Sequence, residues 1–418
     1  MPTERRWPLA LLLGGLAYVL LASYAIARPA IESIFLAHHS SEALPTVWMA
    51  VAVTAVIVVT IYNRACACHR LSVVFGWASV ASAILLAGLL MIEQMEGLSP
   101  AIRGASAFLL YVWKDVYIVV LVEIFWSYAN VNFPPASARS TYGLFCAAGS
   151  LGGMSGNFGV GFLAASHGTS TVLWGVIPLL ALAWAGCRLL SGVSSEPPPR
   201  SASASSWKEN LRVLTESRQL PLILALIVTV QVAITLVDYE VNTFLQSEYP
   251  DKDVRTKMIG TIYGSIDVVA LVLQGLTGPI LRVLGLGTTL LAIPLLVAGS
   301  VAAALAAPRF LTMAASKIVG KCLDYSLFRA GKEMLYLPLS YAEKTQGKAI
   351  VDMLTYRVAK GACALLVQAL IALGLVAWVG PSALVLIVVW LGLTWVIIRR
   401  HTAAEKSSVR PSTPAIEA

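Results

Sequence analysis

Charge is scarce in this chain. Asp, Glu, Lys and Arg make up 12% of its 418 residues, about half the share that a soluble domain carries. That scarcity excludes an ordinary soluble enzyme or binding module. Cysteine supplies no disulfide framework, because Cys146, Cys187, Cys322 and Cys363 all lie inside apolar runs. Catalytic motifs are missing too: there is no P-loop, no G-x-S-x-G and no H-E-x-x-H. The segment "CACH" (Cys66, Cys68, His69) holds metal-ligand types, but no second cluster completes a four-ligand site, so it reads as a loop. His38 and His39 likewise have no partner cluster. No metal and no cofactor are expected.

What the chain has in abundance is oil. Hydrophobic residues make up 58%, gathered in runs long enough to cross a bilayer, which takes about 20 residues. The expected fold class is an all-α membrane protein with twelve transmembrane helices. The first six are expected at 9–36, 45–62, 71–92, 102–130, 141–165 and 170–190, the next six at 220–246, 257–284, 287–307, 309–338, 347–377 and 382–399. The start "MPTERRWPLALLLGGLAYVLLASYAIA" mimics a signal peptide. It is retained as the first span, since removing it leaves an odd number. Between the halves lies "SGVSSEPPPRSASASSWKENLRVLTESRQ", a polar linker whose start is broken by proline. The expected organisation is a six-helix bundle over 1–192, a cytoplasmic linker over 193–219, a second six-helix bundle over 220–400 and a disordered cytoplasmic tail over 401–418. Two such halves point to a pseudo-symmetric transporter.

Lys and Arg explain the net charge of +8 and set the orientation. With both termini inside, the inner segments hold 17 of them and the outer ones hold five: Arg103, Lys252, Arg255, Lys257 and Arg309. The basic balance thus calls for no nucleic acid. The expected location is a bacterial inner membrane, with both termini cytoplasmic and the lipid bilayer as a partner.

With the bases at the span ends counted with the loops, eight remain within the spans: Arg28, Lys114, Lys317, Lys321, Arg329, Lys332, Arg357 and Lys360. The acids there are Glu32, Asp115, Glu123, Asp238, Glu240, Asp267, Asp324, Glu333 and Asp352. Each costs at least about 2.5 kcal/mol near a bilayer centre, so none can face lipid. Lys114 and Lys321 lie roughly 17 Å in from the outer ends of their spans, and Lys360 is similarly deep from the inner side. At 100° per residue, Lys317, Lys321, Asp324 and Phe328 share one stripe with Lys332 beside it, and Arg329 and Glu333 form a local pair. Four cations there against two acids leave a positive surplus, which fits an anionic ligand. Buried salt bridges holding the helices in register are the bland alternative. The glycines of "YGLFCAAGSLGGMSGNFGVGF", Gly149, Gly152, Gly153 and Gly156 among them, permit close helix approach, as do Gly260 and Gly264.

The stretch "DYSLFRAGKEMLYLPL…EKTQGKAIVDMLTYRVAKG", Asp324 to Gly361, resembles the signature of the nucleotide transporter family. That family comprises the ATP/ADP translocases of plastids and intracellular bacteria, with their NTP/NDP-exchanging relatives. "YAIARPAIESIFLA", "VEIFWSYAN", "YGLFCAAGSLGG" and "ITLVDYEVN" extend the likeness into both halves. The resemblance implies a major-facilitator-like fold. It also implies that Lys332, Lys348 and Lys360 hold phosphates, that Glu333 completes the "KEM" pair, and that Glu123 and Asp238 shape exchange. One position departs: "RPAIE" places Ile31 where the family carries a base, while Arg28 is kept. A substrate less charged than ATP is therefore an open alternative.

The expected function is alternating-access transport of an anionic nucleotide or nucleotide-like small molecule, without enzymatic activity. The expected substrate contacts are Arg28, Lys114, Lys321, Lys332, Arg357 and Lys360. The expected coupling or gating acids are Glu123, Asp238, Asp324, Glu333 and Asp352, acting with a proton or a counter-substrate. Two other readings stay open. One is a major-facilitator exporter or proton-coupled importer of another solute, such as a siderophore or drug. The other is a non-transporting receptor on a transporter scaffold.

Overall fold

A computed structural model of the protein describes residues 6–133, 135–193, 207–336, 339–340, 343 and 348–408. The regular secondary structure among them is helical. The chain packs as two compact units, one of Met1–Ser203 with Val241–Leu271, the other of Ala204–Glu240 with Val272–Ala418. Seven helices among the described residues are long and apolar enough to cross a membrane.

Unit one is built around α1 (Arg6–His38), which packs against α4 (Pro100–Asn132), α5 (Pro135–His167), α6 (Thr169–Leu173) and α7 (Val176–Val193). Leu13, Leu20, Ile34 and Phe35 of α1 are consequently buried. Two more helices, α2 (Leu44–Cys68) and α3 (Leu71–Gln94), lie against α4. The glycines of α5 explain how near α1 comes. A Cβ on Gly152 would sit 2.2 Å from the Tyr18 carbonyl oxygen, and one on Gly156 would sit 2.7 Å from that of Ala22. Only a residue without a side chain fits there, so the expected close approach is a backbone-to-backbone seam. Gly260 repeats this against the Asn157 carbonyl oxygen at 2.6 Å.

The expected sixth span is interrupted, with a turn at Trp174–Gly175 separating α6 from α7. Pro178 supplies the reason, because its ring nitrogen cannot donate to the Trp174 carbonyl and proline suits a first helical turn.

Unit two contains α8 (Trp207–Glu216), a ten-residue helix inside the stretch read as a linker, and most of α9 (Leu220–Glu248). Helix α10 (Lys252–Ala306) is 55 residues long and breaks helical geometry at Gly285, φ 75°. At 1.5 Å per residue it is long enough to cross a bilayer twice. The remaining helices are α11 (Phe310–Leu323), α12 (Arg329–Leu335), α13 (Lys348–Ala372) and α14 (Val379–Ser408). A π-helical turn over Asp324–Phe328 joins α11 to α12, where the sequence predicts one continuous helix. Ser326 Oγ donates to the Cys322 carbonyl at 2.5 Å within it, a bond of the kind that bends helices. The wide turn takes the 100° arithmetic out of register beyond Asp324, and Phe328 packs on Trp390 of α14, ring centres 5.8 Å apart. Helix α14 continues to Ser408, past the expected end at 400, through "HTAAEKSS" with its helix-forming Ala, Glu and Lys.

Candidate functional site

Each unit holds a cluster of charges within its helices. In unit one, Lys114 of α4 is 1% exposed. Its Nζ lies 3.0 Å from Asp115 Oδ1 and 3.6 Å from Glu32 Oε1, and 3.7 Å from the centre of the Tyr111 ring. Glu32 also accepts from the Tyr263 hydroxyl at 3.4 Å. One turn earlier on α1, the Arg28 guanidinium stands 3.4 Å over the Tyr263 ring. One turn after Tyr263, Asp267 accepts a 2.7 Å hydrogen bond from Asn157 Nδ2 and lies within electrostatic reach of Arg28. This cluster therefore sets two cations against three carboxylates. A buried ammonium needs such partners, because leaving it unpaired costs several kcal/mol.

Glu123 stands apart from that cluster. It is exposed on α4, nine residues from Lys114 and so about 180° around the helix, within electrostatic reach of Tyr62 of α2. Ile31 of α1 is fully buried.

In unit two, Asp238 of α9 faces two lysines of α11. Its Oδ2 is 2.7 Å from Lys321 Nζ, and its Oδ1 is 3.4 Å from Lys317 Nζ. Lys317 is 2% exposed. Two turns earlier on α9, Gln231 donates through Nε2 to both oxygens of Asp324, at 3.2 and 3.1 Å. The two rungs run in opposite directions along the two helices, so α9 and α11 meet antiparallel here. Arg329 and Lys332 lie within electrostatic reach of Asp324. Cys363, one turn after Lys360 on α13, senses the charges of both Asp238 and Lys360. Glu333 is gripped by Lys348 at 2.5 Å, whereas the sequence paired it with Arg329. Among the described residues of this group, Lys317, Lys321, Arg329, Lys332, Lys348 and Lys360 outnumber Asp238, Asp324 and Glu333.

Unit two thus brings Lys321, Lys332, Asp238 and Asp324 into one neighbourhood, and Lys360 and Asp238 both lie within electrostatic reach of Cys363. Unit one places Arg28 and Lys114 among acids. The side chains of Asp352 and Arg357 lie outside those described. Sequence reasoning passed over Gln231 and Asn157, which are uncharged, and Tyr263, which reads as apolar. It counted Asp267 without giving it a role. An amide at helical spacing from an in-span acid, as Gln231 is from Asp238, was the available signal.

At one end of unit one the chain from 241 to 271 is tied to the helices around it. Gln246 Nε2 donates to the carbonyls of Leu36 and His39, both at 2.8 Å. The Arg255 guanidinium donates to the Ser33 carbonyl at 2.7 Å. Asp253 Oδ1 accepts from the Thr169 backbone at 2.7 Å. These bonds satisfy groups that would otherwise be buried without partners.

A family model described as TLC ATP/ADP transporter matches residues 82–405. The chain is similar to ADP,ATP carrier protein 1 of Chlamydia muridarum, 24% identical over 364 residues, covering 75% of this chain and 68% of that protein. It is similarly related to ADP,ATP carrier protein 1 of Chlamydia pneumoniae, 23% identical, covering 74% and 69%. The chain spans about two thirds of the length of these relatives. Among solved structures it is similar to the nucleoside transporter NupG, with a TM-score of 0.68 at 12% identity, covering 95% of this chain and 99% of that one. A bacterial homologue of the lysosomal transporter Spinster, inward-facing and unoccupied, gives 0.65 at 11% identity, covering 97% and 99%. At such identities the likeness shows the fold alone.

Proposed function

Because this chain belongs to the TLC ATP/ADP transporter family, we propose that it exchanges an anionic nucleotide or nucleotide-like metabolite across a membrane. The proposed arrangement is twelve spans in two six-helix halves, working by alternating access in a bacterial inner membrane with both termini in the cytoplasm. The proposed boundaries are those read from the sequence, with the bundles at 1–192 and 220–400. The solute is carried without being chemically altered.

The observation that carries this reading is the pair of lysines sharing one carboxylate. Lys317 and Lys321 both turn to Asp238, and Lys332 and Lys360 add positive charge nearby. In the proposed cycle a phosphate of the solute displaces Asp238 from Lys321, with Lys360 and Lys332 as further contacts. An ammonium stripped of its counter-ion is costly in a helix bundle. Phosphate and Asp238 therefore alternate as its partner, and the empty carrier keeps Lys321 locked. That competition ties release of one solute to binding of the next. Asp324, held by the neutral amide of Gln231, and Glu333, held by Lys348, are the proposed gating acids of the same unit. Arg28 and Glu123 keep supporting roles at the other unit, and opening at the end closed by Gln246, Asp253 and Arg255 requires their bonds to break.

Radiolabelled nucleotide uptake into proteoliposomes tests the proposal. Saturable uptake that depends on nucleotide trapped inside supports it, and no saturable exchange with any nucleotide removes it. A second reading is favoured by the acid-rich cluster around Lys114 and by buried Ile31: proton-coupled transport of a less charged solute. Uptake driven by a pH gradient, with no counter-substrate, is its signature.

A further inference from the structure

A groove of about 380 Å³ runs between α3 and α7 on unit one, a volume within the range of about 300–1,000 Å³ typical of ligand pockets. Its α3 wall includes Ser72, Gly76, Trp77 and Ile84, and its α7 wall Trp184 and Arg188. From Ser72 to Ile84 it extends about 18 Å along the helix, close to half of a hydrocarbon core about 30 Å thick. It therefore starts at one membrane surface and ends near the midplane. The glycine shapes it. A Cβ on Gly76 would meet the Trp184 indole at 3.3 Å, so any larger residue narrows the groove.

The electrostatics of the groove have one sign. Helix α7 carries no carboxylate, and α3 carries none before Glu93 at its far end. Arg188 lies about 8 Å from the end of α7, its guanidinium 5.4 Å from the centre of the Trp184 ring. Arg70 is exposed just before α3 begins, and the adjacent His69 packs its ring on Trp77 at 4.8 Å. The mouth is therefore basic and aromatic, and the interior is apolar. Trp77 and Ile84 remain 55% and 68% exposed.

We propose that this groove is a binding site for one anionic phospholipid, with an acyl chain along Trp77 and Ile84 and the headgroup phosphate on Arg188. The guanidinium fork matches a phosphate geometrically, and basic pockets between spans on the cytoplasmic side select anionic headgroups. A zwitterionic lipid fills the groove equally well but has a cation of its own to place beside Arg188 and Arg70. The site is independent of the solute carried.

Native mass spectrometry of the purified full chain, titrated with phosphatidylglycerol or phosphatidylcholine of identical acyl chains, tests this. Retention of phosphatidylglycerol is expected to exceed that of phosphatidylcholine by about fivefold. Arg188→Gln should abolish the preference, Arg188→Lys should keep part of it, and Gly76→Leu should lower retention of both lipids. Equal retention by the wild-type protein, or an unchanged preference in Arg188→Gln, overturns the proposal. A dimer that Gly76→Leu dissolves assigns the groove to a second copy and also overturns it. Tryptophan quenching by acyl-brominated lipids serves if a variant fails to fold. Stronger quenching of the wild type by the anionic lipid supports the site, and equal quenching by both lipids overturns it.

Discussion

The two charge clusters look alike in composition and differ in balance. In unit one a buried lysine, Lys114, answers two carboxylates, Asp115 and Glu32. In unit two a single carboxylate, Asp238, answers two lysines. The first arrangement links α4 to α1 through Lys114 and Glu32. The second sets two lysines on one carboxylate, the balance that the proposed exchange of Asp238 for a solute phosphate requires. On the proposed reading, the ratio of acids around a lysine separates a structural role from a solute contact, and depth in the membrane does not.

The largest effects should come from upsetting each ratio. Asp238→Asn leaves the buried Lys317 and the partly exposed Lys321 facing a neutral amide and is expected to destabilise the protein by about 3 kcal/mol. The double variant Asp238→Asn/Lys321→Gln should recover part of that loss in thermal melts. Lys114→Gln should destabilise unit one comparably by stranding Glu32 and Asp115, while leaving the charge preference of transport unchanged. If Lys114→Gln alters solute selectivity, the contrast between the units fails.

Next in size is a transport effect. Lys360→Ala should raise the apparent KM for a phosphorylated solute roughly tenfold to hundredfold, as expected for loss of a charge-assisted bond. Its thermal stability should change less than that of Asp238→Asn. Uptake assays on the same preparations separate the two readouts.

Unit one also depends on backbone proximity. Gly152→Ala places a methyl group where the Tyr18 carbonyl already stands and should destabilise the protein by about 1–3 kcal/mol. Gly143→Ala, at a position with nothing within 4 Å, is the matched control in the same helix, and thermal melts should show it near the wild type.

The smallest effect concerns pH. Burial pushes the Glu343 carboxyl up, but donation from the Ser217 hydroxyl and the Ser340 backbone N–H outweighs it and holds the group below the ordinary glutamate range. A lowered folded pKa contributes stability that is fully present above the unfolded value, about 4.3. That stability is lost as pH falls through the lowered value. Melting points taken from pH 7 down to pH 3 should therefore fall less in Glu343→Gln than in the wild type.

Hydrophobic runs made the helices legible, because a span about 20 residues long is a property of local sequence. The glycine seam was legible for the same reason: four-residue spacing along α5 needs no knowledge of its neighbour. Charge partners were not. Asp238 lies about 80 residues from the lysines it faces, and Glu333 pairs with Lys348, 15 residues on, in preference to Arg329 on its own helix. Helical-wheel reasoning also assumes an unbroken helix, and the π turn at Asp324–Phe328 removes that assumption inside the most informative segment. Gln231 was invisible because an amide carries no charge to count.

A phosphate series tests the central claim most directly. Inhibition of exchange should be measured with a nucleoside and with its mono-, di- and triphosphates, in the wild type, Lys321→Gln and Lys114→Gln. Affinity should climb with phosphate number in the wild type and in Lys114→Gln, and flatten in Lys321→Gln. Equal affinity for the nucleoside and all its phosphates in the wild type would contradict a cationic grip by unit two.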